Sequence, residues 1–215
     1  MLQWIGLLPY TRLIALSGSS AHFNMSEKGD IDLFVVKRGR KVWSTAVNIL
    51  LVSRLFGCRE MVCFNYLVAD THLSLQERDL FSANQLIHLR PLTGEEWMIR
   101  LRESNQCVEE LYPNSLPPRD NPGILGASPL LPTLKRWKEV LLSPGLAQIY
   151  EVLCRTFYRR YLLWKSPSWS TPEQVRLDLD VIKLHTQSHS AAVMHRYHSE
   201  LQRVLKQISS AEPSS

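Results

Sequence analysis

Two aspartates one residue apart interrupt an apolar run that reads Asp30, Ile31, Asp32, Leu33, Phe34, Val35, Val36. In a strand, successive side chains point to opposite faces, so Asp30 and Asp32 share one face while Ile31 and Leu33 point into a core. Carboxylates held that close repel unless a cation neutralises them. Paired hard oxygen ligands suit Mg²⁺ (or Mn²⁺), which keeps waters and substrate phosphates as its other ligands. Upstream, the apolar run Leu13 to Leu16 ends in Ser17, Gly18, Ser19 and Ser20. Gly18 permits a tight turn at a strand end, and backbone N–H groups around Ser19 and Ser20 can hold phosphate oxygens at the start of a following helix. The two signals together describe a cradle for a metal-bound triphosphate.

Gly18-Ser19, a ten-residue gap and then Asp30-Ile31-Asp32-Leu33, with apolar strands on both sides, resembles the signature of the polymerase-β-type nucleotidyltransferase superfamily. The resemblance implies an α/β (α+β) fold with a nucleotidyltransferase-type mixed sheet and helices. It implies transfer of a nucleoside monophosphate from an NTP to an acceptor hydroxyl, with release of pyrophosphate. Asp30 and Asp32 would hold the metal. Gly18 and Ser19, with Ser20 and Asn65, would bind the nucleotide. The acceptor could be nucleic acid, a small molecule or a protein side chain.

Members of that superfamily usually add a third acid from a neighbouring strand, and here the sequence departs from the pattern. On the predicted strand Met61 to Ala69, the residue best placed by alternation is Asn65, and an amide cannot serve as a base. Asp70, just past the strand, is the candidate third catalytic acid if the chain curls back; Glu60 lies at the other end. A second resemblance covers more of the chain. Asn65 to Val68 (NYLV), Glu77 to Leu86 (ERDLFSANQL), Arg90 to Gly94 (RPLTG) and Leu177 to His189 (LDLDVIKLHTQSH) are similar to segments of an uncharacterised group of bacterial nucleotidyltransferase-domain proteins.

The elements that must position these residues follow from periodicity. Met1 to Pro9 reads as a short apolar helix ahead of the first strand. Val42 to Phe56, apolar nearly all round, reads as a buried helix stopped by Gly57, and Met61 to Ala69 as a second core strand. Leu75 to Leu89 predicts a helix opening near Gln76 to Arg78. Pro91 and Gly94 interrupt the chain, and Glu95 to Leu111 predicts another helix. The Pro-, Gly-, Asn- and Ser-rich stretch 113–132 reads as a linker between a catalytic-type domain, 1–112, and a helical C-terminal region, 133–208. In that region Leu134 to Leu142 and Pro144 to Trp164 predict helices. The stripe Tyr150, Leu153, Phe157, Tyr161, Trp164 is expected to face a core, with Arg155, Arg159 and Arg160 as a solvated flank. Val175 to Leu184 has a short strand pattern, Ser188 to Ile208 predicts a last amphipathic helix, and 209–215 a disordered tail.

A chain of 215 residues with 45% hydrophobic and 21% charged residues has the composition of an ordinary globular protein. The net charge of +5 permits phosphate or nucleic-acid partners without demanding them. Cys58, Cys63, Cys107 and Cys154 form no C-x-x-C pair and no zinc-type spacing, which points to a reducing cytoplasm. The longest apolar run, Ala46 to Val52, is interrupted by Asn48 and closed by Ser53 and Arg54, too short to span a bilayer, so no membrane partner is expected. His185, His189, His195 and His198 lack the further ligands a zinc site needs. A Ser-His-Asp reading of Ser19, His22 and Asp30 lacks the Gly-x-Ser-x-Gly elbow of such hydrolases. Two other readings remain beside the enzyme: an NTP-binding or interaction module of the same fold with weak or no turnover, and a basic RNA-binding protein whose Asp pair is structural.

Overall fold

The strand that carries the aspartates, Ile31–Lys37 (β2), is buried on both faces beyond Asp32, and that two-sided burial sets the layering. Leu33 and Val35 enter one apolar cluster, Phe34 and Val36 the other. The computed structural model describes residues 1–22, 29–115, 144–186, 188 and 190–211. Among the described residues, six strands form one mixed sheet. Thr11–Leu16 (β1) lies antiparallel to β2, and Val62–Ala69 (β3) lies parallel to it. Arg90–Thr93 (β4) pairs with β1, Val181–Leu184 pairs with β3, and Val175–Leu177 pairs with the latter. Numbering Val175–Leu177 as β5 and Val181–Leu184 as β6, the order is β4-β1-β2-β3-β6-β5.

One face is covered by Leu2–Gly6 (α1), Val42–Leu55 (α3) and Pro144–Lys165 (α7), which contribute Ile5, Trp43, Ala46, Ile49, Cys154 and Leu162 to the first cluster. The short helix Gly18–Ala21 (α2) follows β1. The other face is covered by Leu73, Leu75 and Leu89 together with Glu96–Glu103 (α5), which adds Trp97, Met98 and Leu101. Leu80–Ile87 (α4), Cys107–Leu111 (α6) and Ser190–Ala211 (α8) complete the described helices. None of the described helices is long and apolar enough to cross a membrane.

Several boundaries differ from the sequence expectation for identifiable reasons. The helix expected from Gln76 starts at Leu80, because Asp79 caps it by accepting the Ser82 N–H at 2.7 Å. The expected helix Glu95 to Leu111 is two helices. Buried Asn105 sits at the break, where its side chain accepts from Leu75 N–H and donates to the Leu73 and Leu101 carbonyls. Arg90 to Thr93 is a strand despite Pro91, which is tolerated because β4 is the sheet edge. The strand pattern from Val175 to Leu184 is a hairpin, β5 and β6, that extends the sheet beside β3.

The C-terminal region therefore shares the sheet and the core of the N-terminal part, with Ile182, Cys154 and Leu162 in one cluster with Leu33 and Phe64. The expected core stripe on α7 is corrected. Phe157 is 69% and Trp164 75% exposed, while Ala147, Glu151, Cys154 and Leu162 form the buried side. Helix α8 continues through Ala211, past the expected end at Ile208. The expected helix Leu134 to Leu142, the linker beyond Ser115 and the tail beyond Ala211 lie outside the described residues.

Candidate functional site

The end of β1 and the start of β2 are tied together. Ser17 N–H donates to the Asp32 carbonyl at 2.9 Å, and the Ser20 hydroxyl both donates to the Asp30 carbonyl at 3.0 Å and accepts from Asp32 N–H at 3.1 Å. Gly18 has a φ of +54° between these links, a conformation that an L side chain rarely adopts. A Cβ on Gly18 would overlap the Asp32 carboxylate oxygen and lie 3.2 Å from Asp32 Cγ. The turn thus brings backbone against carboxylate as closely as a chain without a side chain permits. The first-turn N–H groups that follow have no intrahelical acceptor.

Asp30, exposed, and Asp32, half-buried, line one cleft of about 560 Å³ together with Gly18, Ser19 and Asn65. The role expected of Ser20 rests on its backbone N–H; its side chain is buried, staples the two aspartate backbones through the hydroxyl, and does not line the cleft.

Asn65 owes its position to a bulge. Leu33 pairs with Phe64 and Phe34 with Tyr66, so Asn65 is an extra residue on β3. Burial pushes the Asp32 carboxyl up to about 6; a hydrogen bond from Asn65 opposes the rise and the charge of Asp30 adds to it. Burial, with Asp32 and Asp30 behind it, pushes the Cys63 thiol up to about 11, so it stays an S–H donor. It donates to Asn65 Oδ1 at 3.4 Å, which leaves the amide nitrogen for Asp32. Asn65 therefore acts toward Asp32 as a donor.

Asp70 is corrected as a catalytic acid. Ala69 pairs with Lys37 at the end of β2, whereas Asp32 pairs with Cys63. Lys37 lies five residue steps beyond Asp32 along β2, about 17 Å at 3.3 Å per residue. Asp70 instead accepts Gly39 N–H at 2.8 Å and pairs with Arg12 at 3.5 Å.

The opposite wall of the cleft was missed at the sequence level. Phe81, Asn84 and Gln85 come from α4, and His185, Thr186 and Ser188 from the chain after β6. Pairing of Tyr66 with Lys183 carries that chain past Asn65. Both segments lie within stretches that carried the second resemblance, which was the available signal. Burial, then Lys183, holds the His185 imidazole down at about 4, with Glu77 opposing. His22 packs on His88, ring centroids 4.4 Å apart, and no hydrogen bond joins its ring to the Ser19 hydroxyl among the described residues. The hydrolase-type triad is thus not assembled.

The donor set suits a hard divalent cation. Two carboxylates share a cleft in which burial and the neighbouring charge of Asp30 disfavour the charged form of Asp32, and a cation would relieve both. Among the described residues no three His, Cys, Asp or Glu side chains stand in position to hold a metal. A cation there would need further oxygens from a substrate and water, as Mg²⁺ bound by one or two carboxylates does. No family model, curated protein or solved structure matches this chain.

Proposed function

We propose that the chain is a Mg²⁺-dependent NTP-binding protein of nucleotidyltransferase type, which transfers a nucleoside monophosphate from an NTP to an acceptor hydroxyl and releases pyrophosphate. The observation that carries the reading is the juxtaposition of Gly18, Asp30 and Asp32 in one cleft, with no room for a side chain between Gly18 and Asp32. Asp30 and Asp32 would hold Mg²⁺ (or Mn²⁺). Gly18 and Ser19 would face the β- and γ-phosphates through backbone N–H groups. When bound, the metal would neutralise charge on the phosphates and lower the pKa of the acceptor hydroxyl.

The hydrogen bond from Asn65 to Asp32 supports a second reading of the same site, as a nucleotide-binding module with slow or no turnover. The residue beside the pair is an amide, and among the described residues that line the cleft no third carboxylate stands ready to take the acceptor hydroxyl's proton. Calorimetry of NTP binding with Mg²⁺ and with EDTA tests the shared premise, and transfer of labelled NMP to cell-extract components separates the two readings. Metal-independent NTP binding, or none, overturns both.

A further inference from the structure

We propose that Asn84 and Gln85, with Phe81 and His185, form a wall that reads the base of the nucleotide, and that the base is adenine; this rests on the NTP-binding reading of Asp30 and Asp32. Phe81, Asn84 and Gln85 lie three and four residues apart on α4, which puts them on one helix face. That face lines the same cleft as the aspartates. The volume, about 560 Å³, is within the range of small-ligand sites. With the triphosphate end held by Gly18 and Asp30/Asp32, as the proposed function has it, the part of the ligand that reaches α4 is the base.

The chemistry of the wall selects among bases. A side-chain amide offers one donor and one acceptor in a plane, which matches the amino and ring-nitrogen pair of adenine. On the edge that carries N6 and N7 in adenine, guanine presents two acceptors and is met by Arg or Lys, and cytosine presents its amino group alone and is met by Asp or Glu. No Arg or Lys lines the cleft among the described residues. Lys183, directly behind His185, is held by Glu77 at 2.7 Å and Gln174 at 3.2 Å and is buried. The two carboxylates in the cleft belong to the metal end. Phe81 supplies an aromatic surface on which a base stacks, a contact that favours the larger purine ring. The amides of Asn84 and Gln85 make no hydrogen bond within the protein among the described contacts, so both are available to a ligand.

The test is calorimetric titration of the full chain with ATP, GTP, CTP and UTP in excess Mg²⁺. ATP should bind tightest, about tenfold or more over GTP, as expected for one good bidentate amide–base contact. The Asn84→Ala/Gln85→Ala variant should bring the four affinities to within about threefold of one another, and the near-isosteric Gln85→Glu should weaken ATP relative to CTP. Equal binding of all four by the wild type overturns the proposal and leaves the metal-cleft reading standing. So does an ATP-to-CTP affinity ratio left unchanged by Gln85→Glu, or an ATP preference retained by a folded double variant. Absence of binding by every NTP overturns both.

Discussion

Gly18 and Asp32 are in contact across the turn that joins β1 to α2: the glycine takes a φ of +54°, and any Cβ there would collide with the Asp32 carboxylate. Gly18→Val is expected to abolish Mg²⁺-dependent NTP binding, since the added side chain displaces the carboxylate proposed to hold the metal. Left-handed backbone for an L residue also costs about 1–2 kcal/mol in stability. Ser19→Ala removes one hydrogen bond, about 1 kcal/mol, and should weaken binding by no more than about tenfold. Titration and thermal melts of both variants check this. Equal, small effects on affinity would reduce the turn to a structural element.

Asp32 also sets a pH dependence whose sign is fixed. Its folded carboxyl titrates at about 6 against an ordinary 3.8, so the folded state binds the proton more tightly than the unfolded chain. Its contribution to stability is therefore fully present below pH 3.8 and is lost as pH rises toward 6. In EDTA, Asp32→Asn should flatten this part of the profile and melt at or above the wild-type temperature near pH 7. At neutral pH, Mg²⁺ should raise the wild-type melting temperature and leave Asp32→Asn unmoved. A destabilised Asp32→Asn in EDTA would contradict the burial argument.

Glu151 holds two parts of the sequence together. From the buried side of α7, its two carboxylate oxygens accept the N–H groups of Trp43 and Ser44 at 3.0 and 2.8 Å, at the start of α3. Those N–H groups lack intrahelical acceptors, and a negative charge there complements the helix dipole. Glu151→Ala leaves two buried donors unsatisfied, and the expected loss is about 3 kcal/mol in denaturant unfolding. Glu151→Gln keeps an acceptor and should lose less. A loss under about 0.5 kcal/mol in Glu151→Ala would mean that water replaces the cap.

How far the site was legible follows from these residues. Asp30, Asp32 and Gly18 announce themselves because period-two alternation and a glycine before a polar turn are local signals. The stapling role of Ser20 depends on a partner twelve residues away. The place of His185 in the wall depends on β6 pairing with β3, and that of Asn84 and Gln85 on where α4 packs, neither of which a local pattern states. Helix α7 has two apolar faces. Periodicity found the larger one, Tyr150 to Trp164, but Ala147 and Cys154, the smaller side chains, are the ones that allow close approach to α3. Pro91 masked β4 because a proline is compatible only with an edge, and edges are not marked in sequence.

Asn65 occupies the bulge beside Asp32, where it donates to the carboxylate, and Asp70 lies at the far end of the same strand. If the missing acid limits turnover, Asn65→Asp should raise the rate of NMP transfer. A third carboxylate beside the pair accepts the proton that an amide cannot, and general-base help of this kind contributes about 10²–10⁴-fold. The same variant concentrates three carboxylates without a cation, so it should melt below the wild type in EDTA and gain more than the wild type from Mg²⁺. Asp70→Asn should leave NTP affinity and transfer unchanged. Its carboxylate serves Gly39 N–H and Arg12, so its effect belongs in thermal melts, where weakening this partly buried link is expected to lower stability by about 1 kcal/mol. Transfer rates and melts for wild type, Asn65→Asp and Asp70→Asn decide the matter. Loss of transfer in a folded Asp70→Asn would return that residue to the catalytic set, and an unchanged rate in Asn65→Asp would show that the amide is not what limits the chemistry.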